Sequence, residues 1–266
     1  MESRSIDLTV GDTTVQVDSE GSGSGLVLIH SLLTGPEAFD AVAPVLAQTR
    51  RVHRISLPGF GRSTPLPMPN PSVDDMADHV AAALAQLECD PETIVLGNGL
   101  GGFVAAALAI RHGTMLGPFI LSNSGAAFSS ERASAFGTMS DLVSKGGMSA
   151  VVDVAVRRIF PEDYLDAHPA AIEERRSVLE AVDPESFAAS CRALADLDLR
   201  PKLGTIKNRT LVVAGAADAT TPPEMAAELA AGISSARLTV IPECGHCPQL
   251  QRPKALLAAV ADFVGS

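Results

Sequence analysis

The stretch Gly97-Asn98-Gly99-Leu100-Gly101-Gly102 decides the fold. It follows the apolar run Thr93-Ile94-Val95-Leu96 and opens an alanine-rich segment from residue 100 to about residue 112, so the context reads strand, sharp turn, helix. Small residues at Gly97, Gly101 and Gly102 suit a tight strand-to-helix turn with close helix packing. A nucleophile elbow has this context and the pattern G-x-S-x-G, yet Gly99 stands where the serine belongs. The glycines at 97, 99 and 102 also satisfy the dinucleotide fingerprint G-x-G-x-x-G, which wants an acidic residue about 20 positions further on. The end of the next strand reads Ser122-Asn123-Ser124 instead, so no nucleotide or other cofactor is expected.

Strands and helices alternate on both sides of this stretch. Upstream, residues 6 to 10 and 13 to 17 alternate in polarity around Gly11-Asp12 and predict a hairpin. A strand at 26 to 30, a helix at 38 to 48, a strand at 51 to 56 and a Pro/Gly-rich loop at 57 to 71 follow. Ser72 is placed to cap a helix over 73 to 88, with Asp74 and Asp75 in its first turn where the helix dipole favours negative charge. Downstream lie strands at 116 to 122, 210 to 215 and 237 to 241, with helices near 223 to 231 and 253 to 264. Between them, Met148, Val151, Val152, Ala155, Ile159, Ile172, Val178 and Leu179 recur at helical spacing. The pattern predicts an α/β fold: a mostly parallel sheet with helices on both faces, a core of residues 1–124 and 196–266, and a helical cap insertion at 125–195. Sites in such sheets lie at the carboxyl ends of the strands.

Composition narrows the function classes. The 266 residues are 46% hydrophobic and 19% charged, and 20 Lys+Arg against 31 Asp+Glu leave a net charge of −11, which would be repelled by nucleic acid or an anionic membrane surface. The longest strongly apolar run, 103 to 110, is too short to span a bilayer, and the opening MESRSIDLTV has no apolar signal core, so a cytoplasmic location is expected. Self-association into a homo-oligomer stays open. Cys89, Cys191, Cys244 and Cys247 are too few for a disulfide scaffold, and Cys244-Gly245-His246-Cys247 has no second ligand cluster, so reduced thiols and no metal are expected.

Two further loops carry chemistry-bearing residues. Asp218 follows the strand at 210 to 215, and His246 follows the strand at 237 to 241; elbow, acid, histidine is the chain order of an α/β-hydrolase triad. Taken singly, Asp218 before Pro222 reads as a helix cap and His246 as a hydrogen-bonded structural residue. Their joint placement after successive strands favours the acid and base reading.

With these motifs the chain resembles the α/β-hydrolase fold family, and over nearly its whole length it resembles the 3-oxoadipate enol-lactonase group most. The resemblance rests on LVLIHSLLTGPEAF at 26 to 39, LPGFGRS at 57 to 63, GNGLGG, FPEDYLDAHP at 160 to 169, GAADATTPP at 215 to 223 and GHCPQLQRP at 245 to 253. It departs at Gln251, where the group often has Glu, and at His30-Ser31, where the wider fold often has His-Gly. The resemblance implies a small-molecule ester or lactone substrate, with a carbon–carbon hydrolase or amide hydrolase behind it. It implies His246 as general base, Asp218 as its partner, and an oxyanion hole from the N–H of Leu100 and of Ser31 or Leu32. Arg132, Lys145, Arg157, Arg158, Arg175, Arg176 and Arg192 in the cap are candidates to meet a substrate carboxylate, although most read as a solvated helix face.

Gly99 at the nucleophile position can neither attack a carbonyl nor share a side-chain hydrogen bond with His246. Losing a triad nucleophile lowers turnover by about a million-fold, so the chain is expected to be inactive as an acyl-transfer enzyme. Three accounts compete: a hydrolase whose serine has been replaced, an enzyme using His246 as base on water or on a substrate proton, and a ligand-binding protein. The retained acid and base favour the first. Cys247 and Ser31 lie off the elbow, and neither is expected to take over as nucleophile.

Overall fold

The computed structural model describes residues 4 to 87 and 89 to 265. The expected helix end at 88 and the outermost ends of the expected core, at 1 to 3 and 266, lie outside the described residues. An antiparallel hairpin, β1 (Arg4–Val10) and β2 (Thr13–Gly21), leads into the parallel strands β3 (Gly25–Ile29) and β4 (Arg51–Ile55), with β2 antiparallel to β4. The series continues through β5 (Ile94–Asn98), β6 (Phe119–Ser122), β7 (Thr210–Gly215) and β8 (Ala236–Ile241), all parallel, in the sheet order β1-β2-β4-β3-β5-β6-β7-β8.

Both faces of the central strands are buried, and the alternation within single strands shows how. Val27 and Ile29 of β3 join Val95 of β5 and Leu121 of β6 in one core, while Leu26, Leu28, Leu96 and Ile120 point into the other. Each fully buried side chain of this size contributes about 1.5–3 kcal/mol relative to exposure. On the first face pack α2 (Val73–Gln86), capped reciprocally by Ser72 and Asp75, and α3 (Leu100–His112), which is buried from Leu100 to Ala109 between α2 and the strands β5 and β6.

The expected helix at 38 to 48 is broken. A 3-10 turn at Pro36–Phe39 and the four-residue helix Ala43–Leu46 replace it, because Pro44 has no N–H for a bond to residue 40 and its ring clashes with that carbonyl. The strand expected from 116 begins at Phe119, after Gly117-Pro118.

The connection from β6 to β7 is helical: α4 (Ser130–Gly146), α5 (Val152–Ile159), α6 (Glu162–Ala167), α7 (Ala170–Glu180) and α8 (Pro184–Ala195). Gly146-Gly147 ends α4, so Met148 sits in a separate 3-10 turn before α5, but it is buried with Val152, Ala155 and Ile159 as the spacing predicts. The helices Pro223–Gly232 and Pro253–Val264 complete the fold, with a short turn of helix at Pro248–Gln251 that the pattern did not disclose. Among the described residues no helix is long and apolar enough to cross a membrane.

Candidate active site

Three strand ends converge at the carboxyl edge of the sheet. At the end of β5, Gly99 adopts φ 55° and ψ −121°, a conformation that turns the chain from strand to helix within one residue and that other residues adopt only with strain. The turn is too tight for side chains beside it: a Cβ on Gly97 would lie 2.0 Å from the Gly101 carbonyl oxygen, and one on Gly101 2.2 Å from that of Ile29. The Gly101 N–H donates to the His30 carbonyl at 3.0 Å, fastening the start of α3 to the end of β3.

Asp218 lies in the loop after β7 and is 3% exposed. One oxygen accepts from the N–H groups of Thr220 (2.8 Å) and Thr221 (3.0 Å), shaping the loop. The other accepts from Asn123 Nδ2 (2.8 Å), Thr221 Oγ1 (2.7 Å) and His246 Nδ1 (2.9 Å). Burial works against its charge, but the imidazole charge, the His246 bond and the Asn123 and Thr221 donors outweigh it and hold the carboxyl below its ordinary value. An ionised Asp218 can only accept, so it keeps a proton on His246 Nδ1, and in the neutral imidazole Nε2 is then the acceptor.

His246 is carried by the loop after β8 and is 3% exposed. Its N–H donates to the Ile159 carbonyl at the end of α5, and its carbonyl accepts from Asn98 Nδ2 at 3.0 Å. Asn98, inside GNGLGG, also accepts from Gln249 Nε2 (2.9 Å) and Cys247 Sγ (3.4 Å). Gln251 takes part too, accepting from the Gly245 N–H at 2.6 Å. Cys247 is thus a structural donor, and burial pushes its thiol well above the ordinary value.

The Nε2 edge of His246 faces Gly99 and Ser31. Ser31 Oγ stands 3.4 Å from Nε2, and a Cβ on Gly99 would meet Ser31 Oγ at 2.3 Å and Nε2 at 2.8 Å. Between Ser31 and Leu32, the structure separates the two expected oxyanion donors: the Ser31 N–H is occupied by Thr34 Oγ1 at 3.1 Å, whereas among the described residues neither the Leu32 nor the Leu100 N–H has an acceptor. Leu32 and Leu100 border the same cavity as Gly99 and His246. Its walls are apolar, from Phe103, Phe128, Phe136, Met139 and Leu194, with one cation, Arg158.

The other cations of the helical connection between β6 and β7 are engaged elsewhere or exposed. Arg132 donates to the Ala219 and Thr220 carbonyls, Arg157 pairs with Glu162, Arg175 with Glu37, Arg176 with Asp153, and Arg192 bonds Asn70 and Ser140, while Lys145 is exposed. Arg158 makes no ion pair among the described residues; burial, with Arg132 nearby, works against its charge. Asn98, Asn123, Thr221 and Gln249 were not singled out as site residues from sequence, although Asn98 lies within the decisive stretch and Thr221 lies three residues past Asp218.

The match to known proteins falls on this architecture. The model of the Alpha/beta hydrolase family matches residues 26–260. The chain belongs to that family. Among its relatives, the pimeloyl-[acyl-carrier protein] methyl ester esterase of Nitrosospira multiformis is 28% identical over 96% of this chain and 99% of its own. The 3-oxoadipate enol-lactonase 2 of Acinetobacter baylyi is 29% identical over 71% of this chain and 69% of its own. The crystal structure of the enol-lactonase from Burkholderia xenovorans LB400 superposes with a TM-score of 0.90 at 26% identity, covering 98% of this chain and 100% of that one. This hydrolase-family chain is thus similar both to ester hydrolases and to enol-lactonases.

Proposed function

We propose that the cavity binds a small ester or lactone bearing an anionic group, and that His246, oriented by Asp218, is its general base. The observation that carries this reading is the buried Asp218–His246 hydrogen bond with Nε2 aimed into a cavity bordered by two acceptor-free N–H groups. The Leu32 and Leu100 N–H groups would receive the oxyanion of the tetrahedral intermediate, worth about 3–4 kcal/mol per donor where such donors have been removed. Arg158 would meet the anionic end, and the apolar walls the body of the substrate. Apolar walls with Arg158 among them suit a small anionic substrate such as the enol-lactone of 3-oxoadipate.

Gly99 supplies no nucleophile, so acyl transfer at the elbow is silent in the native chain. Placing a serine there is the test. Because Ser31 crowds the position, the informative variant is Gly99→Ser with Ser31→Gly. It is expected to hydrolyse carboxylate-bearing lactones and small esters far faster than the native chain. A correctly folded double variant with no gain on any ester or lactone would refute the reading.

A further inference from the structure

The volume that an elbow side chain would occupy is filled. Ser31 Oγ lies 2.3 Å, and Ser31 Cβ 2.9 Å, from the ideal Cβ position of Gly99, so the Ser31 hydroxyl stands beside the place that an elbow side chain would take. It is the hydroxyl on Nε2 of His246, at 3.4 Å, while Thr221 Oγ1 and Asp218 lie on the Nδ1 side. With Asp218 holding the proton on Nδ1, Ser31 O–H is the donor and Nε2 the acceptor. Ser31 borders the cavity, and the residue after it, Leu32, carries one of the two acceptor-free N–H groups. Hydroxyl, base and orienting carboxylate are therefore connected in series, which is the geometric signature of an activated nucleophile. Contacts of this length between nucleophile and base tighten when substrate binds.

We propose that Ser31, reaching in from the loop after β3, is the nucleophile through which His246 acts in the native chain. The proposal rests on the reading of the cavity as an ester or lactone hydrolase site. Ser31 Oγ forms a bond to the carbonyl carbon as its proton passes to His246 Nε2, and the carbonyl electron pair moves to oxygen, facing the Leu32 and Leu100 N–H groups. Collapse breaks the carbon–oxygen bond to the alcohol, which takes the proton from His246. Water then attacks the acyl group on Ser31, giving its proton to His246; the acid leaves and Ser31 recovers the proton. The net change is ester plus water to acid plus alcohol. Glycine at 99 makes this route possible, because any larger residue there would collide with the Ser31 side chain.

The test is covalent labelling of the full chain with an alkyl fluorophosphonate, in which the serine oxygen displaces fluoride from phosphorus, followed by digestion and mass spectrometry. The expected result is one phosphonyl group on Ser31, absent from Ser31→Ala and from His246→Ala. A burst of nitrophenol from p-nitrophenyl acetate should accompany it, be lost in both variants and persist in Ser31→Cys. An unlabelled native chain, or a label elsewhere, overturns the proposal whether or not Ser31→Ala folds. So does ester turnover unchanged in folded Ser31→Ala, which would leave His246 acting on water. The two readings fail separately: hydrolysis by Gly99→Ser/Ser31→Gly without native labelling at Ser31 removes only the Ser31 nucleophile, whereas silence of that double variant removes the hydrolase site itself.

Discussion

At the scale of single residues, the site is a contest for one small volume between the elbow and the loop after β3, with His246 pressing in from a third side. Position 99 tolerates glycine without strain at φ 55°, whereas a serine there would cost about 1–3 kcal/mol of backbone energy. The acid is held differently, by five hydrogen bonds that fix both oxygens. Asp218→Asn keeps an acceptor for Thr220 and Thr221, but its amide places N–H against Nδ1 and turns His246 to the wrong tautomer. In Gly99→Ser/Ser31→Gly this substitution should lower kcat about ten-thousand-fold with little change in KM, as measured by steady-state ester hydrolysis. A loss below ten-fold would assign Asp218 to loop shape alone. Asp218 and His246 were legible in the sequence because each follows a strand end. Asn123 was not, since its contact with Asp218 spans 95 residues and only folding brings the two together. Ser31 lies off the elbow yet stands at Nε2 of His246, because position relative to an elbow says nothing of where a side chain from another strand end reaches.

At the scale of elements, the loop that carries His246 is pinned from below by β5. Asn98 Nδ2 holds the His246 carbonyl, and Asn98 Oδ1 accepts from Gln249 and Cys247, so one amide organises the turn before the Pro248–Gln251 helix. Asn98→Ala would leave these buried groups without partners, at about 1–3 kcal/mol, and should lower both the melting temperature in calorimetry and the activity of the double variant. An unchanged melting temperature would show that water or a neighbour replaces the amide. Strands and long helices were legible because they carry periodicity over many residues. The segment at 38 to 48 is broken where Pro44 interrupts it, and the four-residue helix before Arg252 is too short to show a period.

For the whole molecule, three buried histidines make stability depend on acid. Burial holds the imidazoles of His30, His53 and His79 below the ordinary value of 6.5, with Arg51 adding to the effect at His53 and backbone bonds partly opposing it at His30. At His30 the cause of neutrality is visible: Nε2 accepts from the Leu57 N–H at 3.0 Å while Nδ1 donates to the Ser31 carbonyl at 2.8 Å, so a second proton would set N–H against N–H. A depressed folded value means that the unfolded chain takes up protons first. The stability these groups contribute is therefore complete above 6.5 and declines as pH falls below it towards the folded values. Urea unfolding followed from pH 7.5 to 5 should show a falling midpoint, and His30→Gln should reduce the slope. A flat midpoint across that range would contradict it. The helical connection between β6 and β7 is tied to the segment after β3 by Arg175, 9% exposed, on Glu37 at 2.9 Å. That pair was hidden in a sequence where Arg175 looked like one of several surface cations.

The most direct measurement is the rate of ester and lactone hydrolysis by the native chain, Gly99→Ser and Gly99→Ser/Ser31→Gly under the same conditions. The account predicts hydrolysis by the double variant well above that of the native chain, whose Ser31 hydroxyl stands off the elbow at 3.4 Å from Nε2, with the single variant between them because Ser31 crowds the new hydroxyl. Equal rates in all three folded proteins would contradict it, because a hydroxyl placed on the elbow beside His246 would then add nothing.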